Sequence, residues 1–197
     1  MQKKDCLLCG VGGQGTILAS KLIADAALLQ GYRVRASETI GMSQRGGSVV
    51  SHVRVGENVH APMIPFGSAD VIIAFEPAEA VRALQYLSKD GVLVVSKKAV
   101  KPVTATLSAS DYDGTEMIEY LTSQVSKLVV INTDEVLEKI GSSKVLNVVL
   151  LGAAAASGML GFTLEQMGQA IEQRVPERFL ELNRKALQEG AKIGGQI

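Results

Sequence analysis

The chain has 197 residues, enough to bury a substantial core as one domain, and its 20 basic and 20 acidic residues give a formal net charge of zero. With no long run of like charge and no tryptophan, this composition argues against a nucleic-acid-binding protein and against a membrane-surface protein. Two cysteines, no signal-peptide pattern and no uninterrupted apolar stretch of about 20 residues predict a cytoplasmic protein without a membrane span.

Short apolar runs that suit buried strands alternate with helical patterns along most of the chain. The predicted strands cover residues 5–10, 32–37, 48–55, 71–75, 91–96 and 127–131. The predicted helices cover residues 16–30, 77–88, 114–124 and 132–140, and only helices follow, at 145–160, at 163–171 and from Pro176. This alternation predicts an α/β fold, formed by residues 1–197 as a single domain. We expect a Rossmann-like, open and mostly parallel sheet with helices on both faces and a helical C-terminal tail.

A glycine-rich turn, "GVGGQG" at residues 10–15, separates the first predicted strand from the first predicted helix. Gly10, Gly12 and Gly15 match G-x-G-x-x-G, in which bare backbone amides and the positive end of a helix dipole bind an anion. We therefore select Gly10, Gly12, Gly13, Gln14 and Gly15 as candidate cofactor-binding residues. The alternative is that the glycines only permit a tight turn and close packing of the helix on the strand.

Two nucleotide-binding patterns fit this turn poorly. An NAD site needs an acidic residue at the end of the second strand, and the nearest, Glu38, stands 23 residues past Gly15 and leads into another glycine-containing loop. The phosphate-binding loop of nucleotide kinases needs a lysine before its hydroxyl residue, and "GVGGQGT" has Thr16 without a lysine.

A second glycine-containing loop follows the second predicted strand, within "SETIGMSQRGGSVVSHVRVG". Because ligands of open α/β sheets bind beyond the carboxyl ends of the strands, we expect this loop to lie beside the glycine turn. Gln44 and Arg45 are candidate ligands for a phosphate or carboxylate, although Arg45 also suits an acidic patch on another subunit or an ordinary surface position. Glu76, at the end of "VIIAF", is predicted either to contact the ligand or to supply the negative charge at a helix N-terminus.

The other residues that could take part in catalysis or metal binding are predicted to have structural roles. Cys6 and Cys9 are spaced C-x-x-C, but residues three apart on a strand point to opposite faces, so we expect core packing and no metal site. His52 lies on a predicted strand and suits a structural hydrogen bond better than catalysis. The run "GAAAASG", residues 152–158, suits either the core of this chain or a subunit interface. We predict no catalytic residue.

The motifs taken together resemble one family. "GVGGQG", "SETIGMSQRGGSVVSHVR", "FEPAEA" and the closing "RVPERFLELNRKAL" are similar, in this order, to the gamma-type domain of the 2-oxoacid:ferredoxin oxidoreductases. The residues of the second and last motifs are most similar to those of the small (beta) subunits of the indolepyruvate ferredoxin oxidoreductases. The resemblance runs over nearly the whole chain.

This resemblance implies an enzyme subunit that is not active alone. The family's reaction converts a 2-oxoacid, here indolepyruvate or another aryl pyruvate, with coenzyme A to acyl-CoA, carbon dioxide and reduced ferredoxin. The resemblance places coenzyme A at this chain or its interface. We hypothesise that residues 10–15, with Gln44 and Arg45, face the diphosphate or another anionic part of coenzyme A; the alternative is that these loops dock onto the partner subunit without touching coenzyme A. The resemblance also places thiamine diphosphate and the 4Fe–4S clusters on a large partner subunit, because this chain has no G-D-G motif and only two cysteines. Ferredoxin is then a partner of the complex.

Other functions remain open on the sequence alone. A stand-alone NAD(P)-dependent oxidoreductase or an adenylating enzyme would each use the glycine turn for a nucleotide. A structural subunit with a vestigial glycine turn would bind the large subunit and no nucleotide.

Overall fold

Six strands form one sheet in the computed structural model, which describes residues 3–40, 46–101 and 112–195. The strands are β1 (Lys4–Val11), β2 (Val34–Ile40), β3 (Ser48–Val55), β4 (Ala69–Ala74), β5 (Leu87–Ser96) and β6 (Leu128–Ile131). Their order across the sheet is β2-β3-β1-β4-β5-β6. The four strands β1, β4, β5 and β6 pair in parallel, whereas β3 is antiparallel to both β1 and β2. The predicted mostly parallel sheet is therefore confirmed, with β3 as its reversed strand.

The reversal of β3 follows from the length of the connection before it. Residues 41–47 join β2 to β3, and a connection of seven residues is too short for the crossover of about a dozen residues that parallel neighbours need. Because β2 is antiparallel to β3, it runs in the same direction as β1. The carboxyl ends of β1, β2, β4, β5 and β6 therefore share one edge of the sheet, which we call the carboxyl edge.

Helices cover both faces of the sheet. They are α1 (Thr16–Leu29), α2 (Pro77–Ala83), α3 (Thr115–Gln124), α4 (Thr133–Ile140), α5 (Leu146–Ala156), α6 (Leu164–Arg174) and α7 (Leu180–Gly194). One core cluster joins α1, α4, α5, α6 and α7 to one face, and a second joins α2 and α3 to the other. Cys6 belongs to the first cluster and Cys9 to the second, which confirms that the two thiols point to opposite faces.

Close packing of α5 against α7 depends on glycine. A Cβ atom added at Gly190 would stand 1.9 Å from the carbonyl oxygen of Val149, and one added at Gly152 would stand 2.1 Å from that of Leu187. The two backbones are thus in direct contact. Residues 152–155 are buried, so the first half of the small-residue run belongs to the core of this chain.

Several limits of the predicted helices were wrong. The helix predicted over 77–88 ends as an α-helix at Ala83, because Leu87 already pairs with Ala69 as the first residue of β5. Pro176 does not begin the last helix: its carbonyl accepts a hydrogen bond from the N–H of Phe179 in a 3-10 turn, and α7 begins at Leu180. The helix predicted over 145–160 covers Leu146–Ala156.

Helical spacing would place Leu18 and Leu29 on the same apolar face of α1 as Leu22 and Ala26, but Leu18 and Leu29 are exposed. The buried apolar residues of α1 are Ala19, Leu22, Ile23, Ala26 and Ala27.

Within the described residues, no single helix is long and apolar enough to cross a membrane. By length and composition alone, α4 and the segment Ser143–Ala156 qualify only as a pair, bent by 120° at the break between them.

Candidate functional site

The glycine turn lies at the carboxyl edge, between the end of β1 and the start of α1. Gly13 and Gly15 have φ values of +102° and +88°, a region that side chains with a Cβ rarely adopt. Gly15 is the N-cap of α1, no side chain caps this helix, and its first turn contains no acidic residue. No described atom lies within 4 Å of the position that a Cβ of Gly13 would take. The turn is thus open at Gly13, and the free amides of a 14-residue helix can face an anion there.

Gln14 bridges the turn to the neighbouring strand. Its Oε1 accepts a hydrogen bond from the Val11 N–H at 2.7 Å, and its Nε2 donates to the carbonyl oxygen of Phe75 at 2.9 Å. Gly10 leaves room for this bridge, because a Cβ at that position would stand 2.8 Å from Gln14 Oε1 and 2.7 Å from the Cβ of Phe75. Gly10 and Gln14 therefore allow the turn to pack against Phe75, the residue that follows β4.

The two candidates on the second loop, Gln44 and Arg45, lie outside the described residues, as does Gly41. The C-terminal end of that loop is described and lies beside the glycine turn. The Gly12 N–H donates a hydrogen bond to the carbonyl oxygen of Gly47 at 2.9 Å. This contact brings the two glycine-containing segments together, as expected from the shared carboxyl edge.

Glu76 is the N-cap of α2 and is 2% exposed. Its Oε2 accepts from the Glu79 N–H at 3.0 Å, and its Oε1 accepts from the Tyr112 hydroxyl and, at 3.4 Å, from the Val100 N–H. Burial and the hydrogen bond to Glu76 raise the pKa of Tyr112, so the phenol stays protonated as the donor. Of the two roles left open for Glu76, the structure describes the helix cap, and a ligand contact remains a prediction.

A cavity of about 470 Å³ opens at the carboxyl edge on the α2 side of the sheet. Its polar wall is formed by Ser48, Glu76, Glu79, Arg82 and Tyr112. The Glu79 carboxylate, which is nearly buried, accepts from the Ser48 hydroxyl at 2.6 Å and pairs with Arg82. The described part of this wall therefore contains two buried carboxylates and one guanidinium, so it suits a hydrogen-bond donor better than a phosphate.

Sequence reasoning did not select Glu79, Tyr112 or Thr16. Glu79 stands inside the quoted motif "FEPAEA", whereas nothing near Tyr112 in the sequence indicated its contact with Glu76. The Thr16 hydroxyl is buried and has no hydrogen-bond partner among the described residues. It belongs to the first turn of α1, next to the amides that can face an anion.

Cys6, Cys9, His52 and Glu38 are buried in the core or hydrogen-bonded within the fold. Burial raises the pKa of the Cys6 and Cys9 thiols, so both stay protonated. His52 accepts a hydrogen bond from the Ile64 N–H at 3.2 Å, and burial lowers its pKa. Glu38, the one candidate for a ribose contact, accepts from the Ser20 hydroxyl at 3.0 Å. Within the described ranges, no group of three His, Cys, Asp or Glu side chains is arranged to hold a metal ion.

Comparison with known proteins adds one family and several relatives. The model of the family described as pyruvate ferredoxin/flavodoxin oxidoreductase matches residues 5–193. The indolepyruvate oxidoreductase subunit IorB of Pyrococcus horikoshii is 35% identical over 199 residues, which cover 100% of this chain and 98% of the relative. The gamma subunit of a keto/oxoacid ferredoxin oxidoreductase from Geobacter sulfurreducens superposes with a TM-score of 0.70 at 27% identity, over 97% of this chain and 98% of that chain.

A longer protein contains the same fold. The structure of 2-oxoglutarate:ferredoxin oxidoreductase from Magnetococcus marinus, solved with 2-oxoglutarate, coenzyme A and succinyl-CoA bound, superposes with a TM-score of 0.69 at 18% identity. The match covers 100% of this chain and 32% of that one. At this identity the likeness concerns the fold alone.

Proposed function

This chain belongs to the pyruvate ferredoxin/flavodoxin oxidoreductase family, and on that premise we propose that it is the small subunit of a 2-oxoacid:ferredoxin oxidoreductase. The observation that carries the proposal is its likeness, along the full chain, to a subunit named for indolepyruvate oxidoreductase. The complex oxidatively decarboxylates indolepyruvate or another aryl pyruvate with coenzyme A. Its products are acyl-CoA, carbon dioxide and reduced ferredoxin. Residues 1–197 act as one gamma-type domain.

The cofactors of the reaction belong, in this proposal, to a large partner subunit. Enzymes of the family use coenzyme A, thiamine diphosphate and iron–sulfur clusters. A 4Fe–4S cluster needs four thiolates, whereas this chain has two cysteines, which are buried on opposite faces of the sheet. Thiamine diphosphate supplies the carbanion chemistry on the partner, and the clusters there pass electrons to ferredoxin. The small subunit alone is therefore inactive.

The role of this chain is to bind coenzyme A where the subunits meet. The diphosphate of coenzyme A fits the α1 N-terminus, because the turn is open at Gly13 and the first helical turn carries no acidic side chain. The free amides at the N-terminus of α1, with Gln44 and Arg45, hold this anion and orient the molecule toward the partner. The cavity beside Glu76 and Glu79 does not fit a phosphate, so we assign the anionic part of the ligand to the α1 side.

Native purification of this chain from its host is the first test. We expect a large subunit to co-purify, with thiamine diphosphate and iron in the same fraction. If the chain instead purifies alone with bound nicotinamide or adenine nucleotide, the proposal is wrong and a stand-alone enzyme takes its place.

Arg45→Ala in the assembled complex tests the coenzyme A site. Loss of a charge-assisted hydrogen bond is expected to weaken coenzyme A binding by at least about tenfold. Arg33→Ala is the matched control: this exposed arginine precedes β2 at the opposite edge of the sheet, and its loss should leave affinity unchanged. Unchanged coenzyme A affinity in Arg45→Ala, combined with weaker subunit association, would identify an interfacial role for the loop instead.

A further inference from the structure

The two helices that border the glycine turn leave the sheet on opposite sides. Strands β1 and β4 are parallel neighbours, yet α1, which follows β1, packs in one core cluster and α2, which follows β4, packs in the other. Such a divergence opens a crevice between the carboxyl ends of the two strands, and ligands of open α/β sheets commonly bind there.

In this chain the crevice is spanned by the Gln14 side chain. The Val11 N–H at the end of β1 donates to its Oε1 at 2.7 Å, and its Nε2 donates to the Phe75 carbonyl just beyond β4 at 2.9 Å. Phe75 is itself fixed, because its own N–H donates to the Cys9 carbonyl at 2.8 Å. Each end of the Gln14 amide therefore makes a hydrogen bond to a backbone group at one of the two strand ends.

We propose that Gln14 is a positioning residue that closes the crevice and fixes the glycine turn, rather than a ligand of the coenzyme. The anion then lies outside the crevice, against the N-terminus of α1 beside Gly13, and Gln14 acts on it only through the backbone. Only the identity of the ligand in this inference rests on the proposed function. The bridge itself is independent of any ligand and predicts an effect on the free chain.

The first test replaces Gln14 with methionine, which has a similar length and cannot make either hydrogen bond. In the ligand-free full chain, loss of the two bonds is expected to lower Tm by about 4–8 °C. Gln188→Met, at an exposed position of α7, is the control and should leave Tm unchanged. A direct ligand contact would have no effect on the free chain, so an unchanged Tm in Gln14→Met would overturn the proposal.

The second test uses Gln14→Glu to distinguish hydrogen bonding from space filling. A protonated Glu side chain reproduces the bridge, because it accepts from Val11 N–H and donates to the Phe75 carbonyl, whereas the ionised form places an oxygen against that carbonyl. The folded-state pKa of the new carboxyl is therefore raised. Its stabilising contribution is present below the unfolded pKa of about 4.3 and is lost as pH rises through the folded value.

The measured quantity is the Tm difference between Gln14→Glu and wild type from pH 5 to pH 8. The difference should grow with pH for the glutamate variant and stay constant for Gln14→Met. The nearby titratable and charged groups are the same in all three proteins; they are Cys9 on β1 and Glu76, Glu79 and Arg82 beside or on α2. A glutamate variant whose Tm difference does not change with pH would contradict the bridge.

The assembled complex separates failure of this inference from failure of the proposed function. With coenzyme A as the varied substrate, Gln14→Met should raise KM by roughly tenfold and leave kcat within about twofold, because only the placement of the amides changes. If the wild-type complex does not bind coenzyme A, the proposed coenzyme A site is refuted. The Tm measurements on the free chain then still test the Gln14 bridge. A lowered kcat with unchanged KM would refute the positioning role.

Discussion

Replacing Gly190 with alanine tests how closely α5 and α7 pack. The new Cβ would stand 1.9 Å from the Val149 carbonyl oxygen, 1.5 Å short of the 3.4 Å at which ordinary contact begins. The obstructing atoms are backbone, so no side-chain rotation relieves the overlap and the helices must move apart. Overpacking of this kind costs about 3 kcal/mol, and the better helix propensity of alanine offsets about 1 kcal/mol.

The expected net loss is about 2 kcal/mol in the free energy of unfolding, or about 4–8 °C in Tm for a chain of this length. Thermal unfolding followed by far-ultraviolet circular dichroism measures it. Gly168→Ala is the matched control, because Gly168 lies within α6 and no described atom is within 4 Å of its Cβ position. That variant should gain about 1 kcal/mol. If Gly190→Ala is also stabilised, the close backbone contact between α5 and α7 is refuted.

Three further substitutions test the buried polar groups by equilibrium unfolding. Tyr112→Phe removes a donor to the buried Glu76 carboxylate and should cost about 1–3 kcal/mol, whereas an unchanged stability would show that the contact contributes nothing. Arg54→Met removes the guanidinium that lies 2.9 Å from the fully buried Asp5 and should cost about 3 kcal/mol at pH 7, because only Lys3 then remains paired with this carboxylate, whereas an unchanged stability would contradict the pairing. His52, whose pKa is lowered by burial, contributes stability above its unfolded pKa of about 6.5 that is lost as pH falls through the folded value. His52→Asn should therefore lose less stability than wild type between pH 7 and pH 5, and parallel pH curves would contradict this.

Much of the carboxyl edge could be predicted from the sequence. The glycine turn and the end of "VIIAF" both follow buried apolar strands, and parallel strands bring their carboxyl ends together. The contact between Gly12 and Gly47 confirms that the two glycine-containing segments meet. Local pattern was sufficient here because each segment is tied directly to the end of a strand.

The role of individual side chains at that edge could not be predicted in the same way. Gln14 stands within a motif predicted to bind a ligand, and the structure adds that its amide links the backbones of Val11 and Phe75. Tyr112 contacts Glu76 from 36 positions away in the chain. Periodicity and motif spacing contain no information on contacts at such separations.

By itself, the sequence determined the alternation of strands and helices, the opposite orientations of Cys6 and Cys9, and the family, because these depend on local periodicity and on the order of motifs. The tertiary structure alone decided the place of β3 between β1 and β2 and the close contact of α5 with α7. It also decided that Gln14 spans the crevice between β1 and β4. These features depend on which distant segments approach one another, and that is set by the burial of both sheet faces at once and not by any one stretch of the chain.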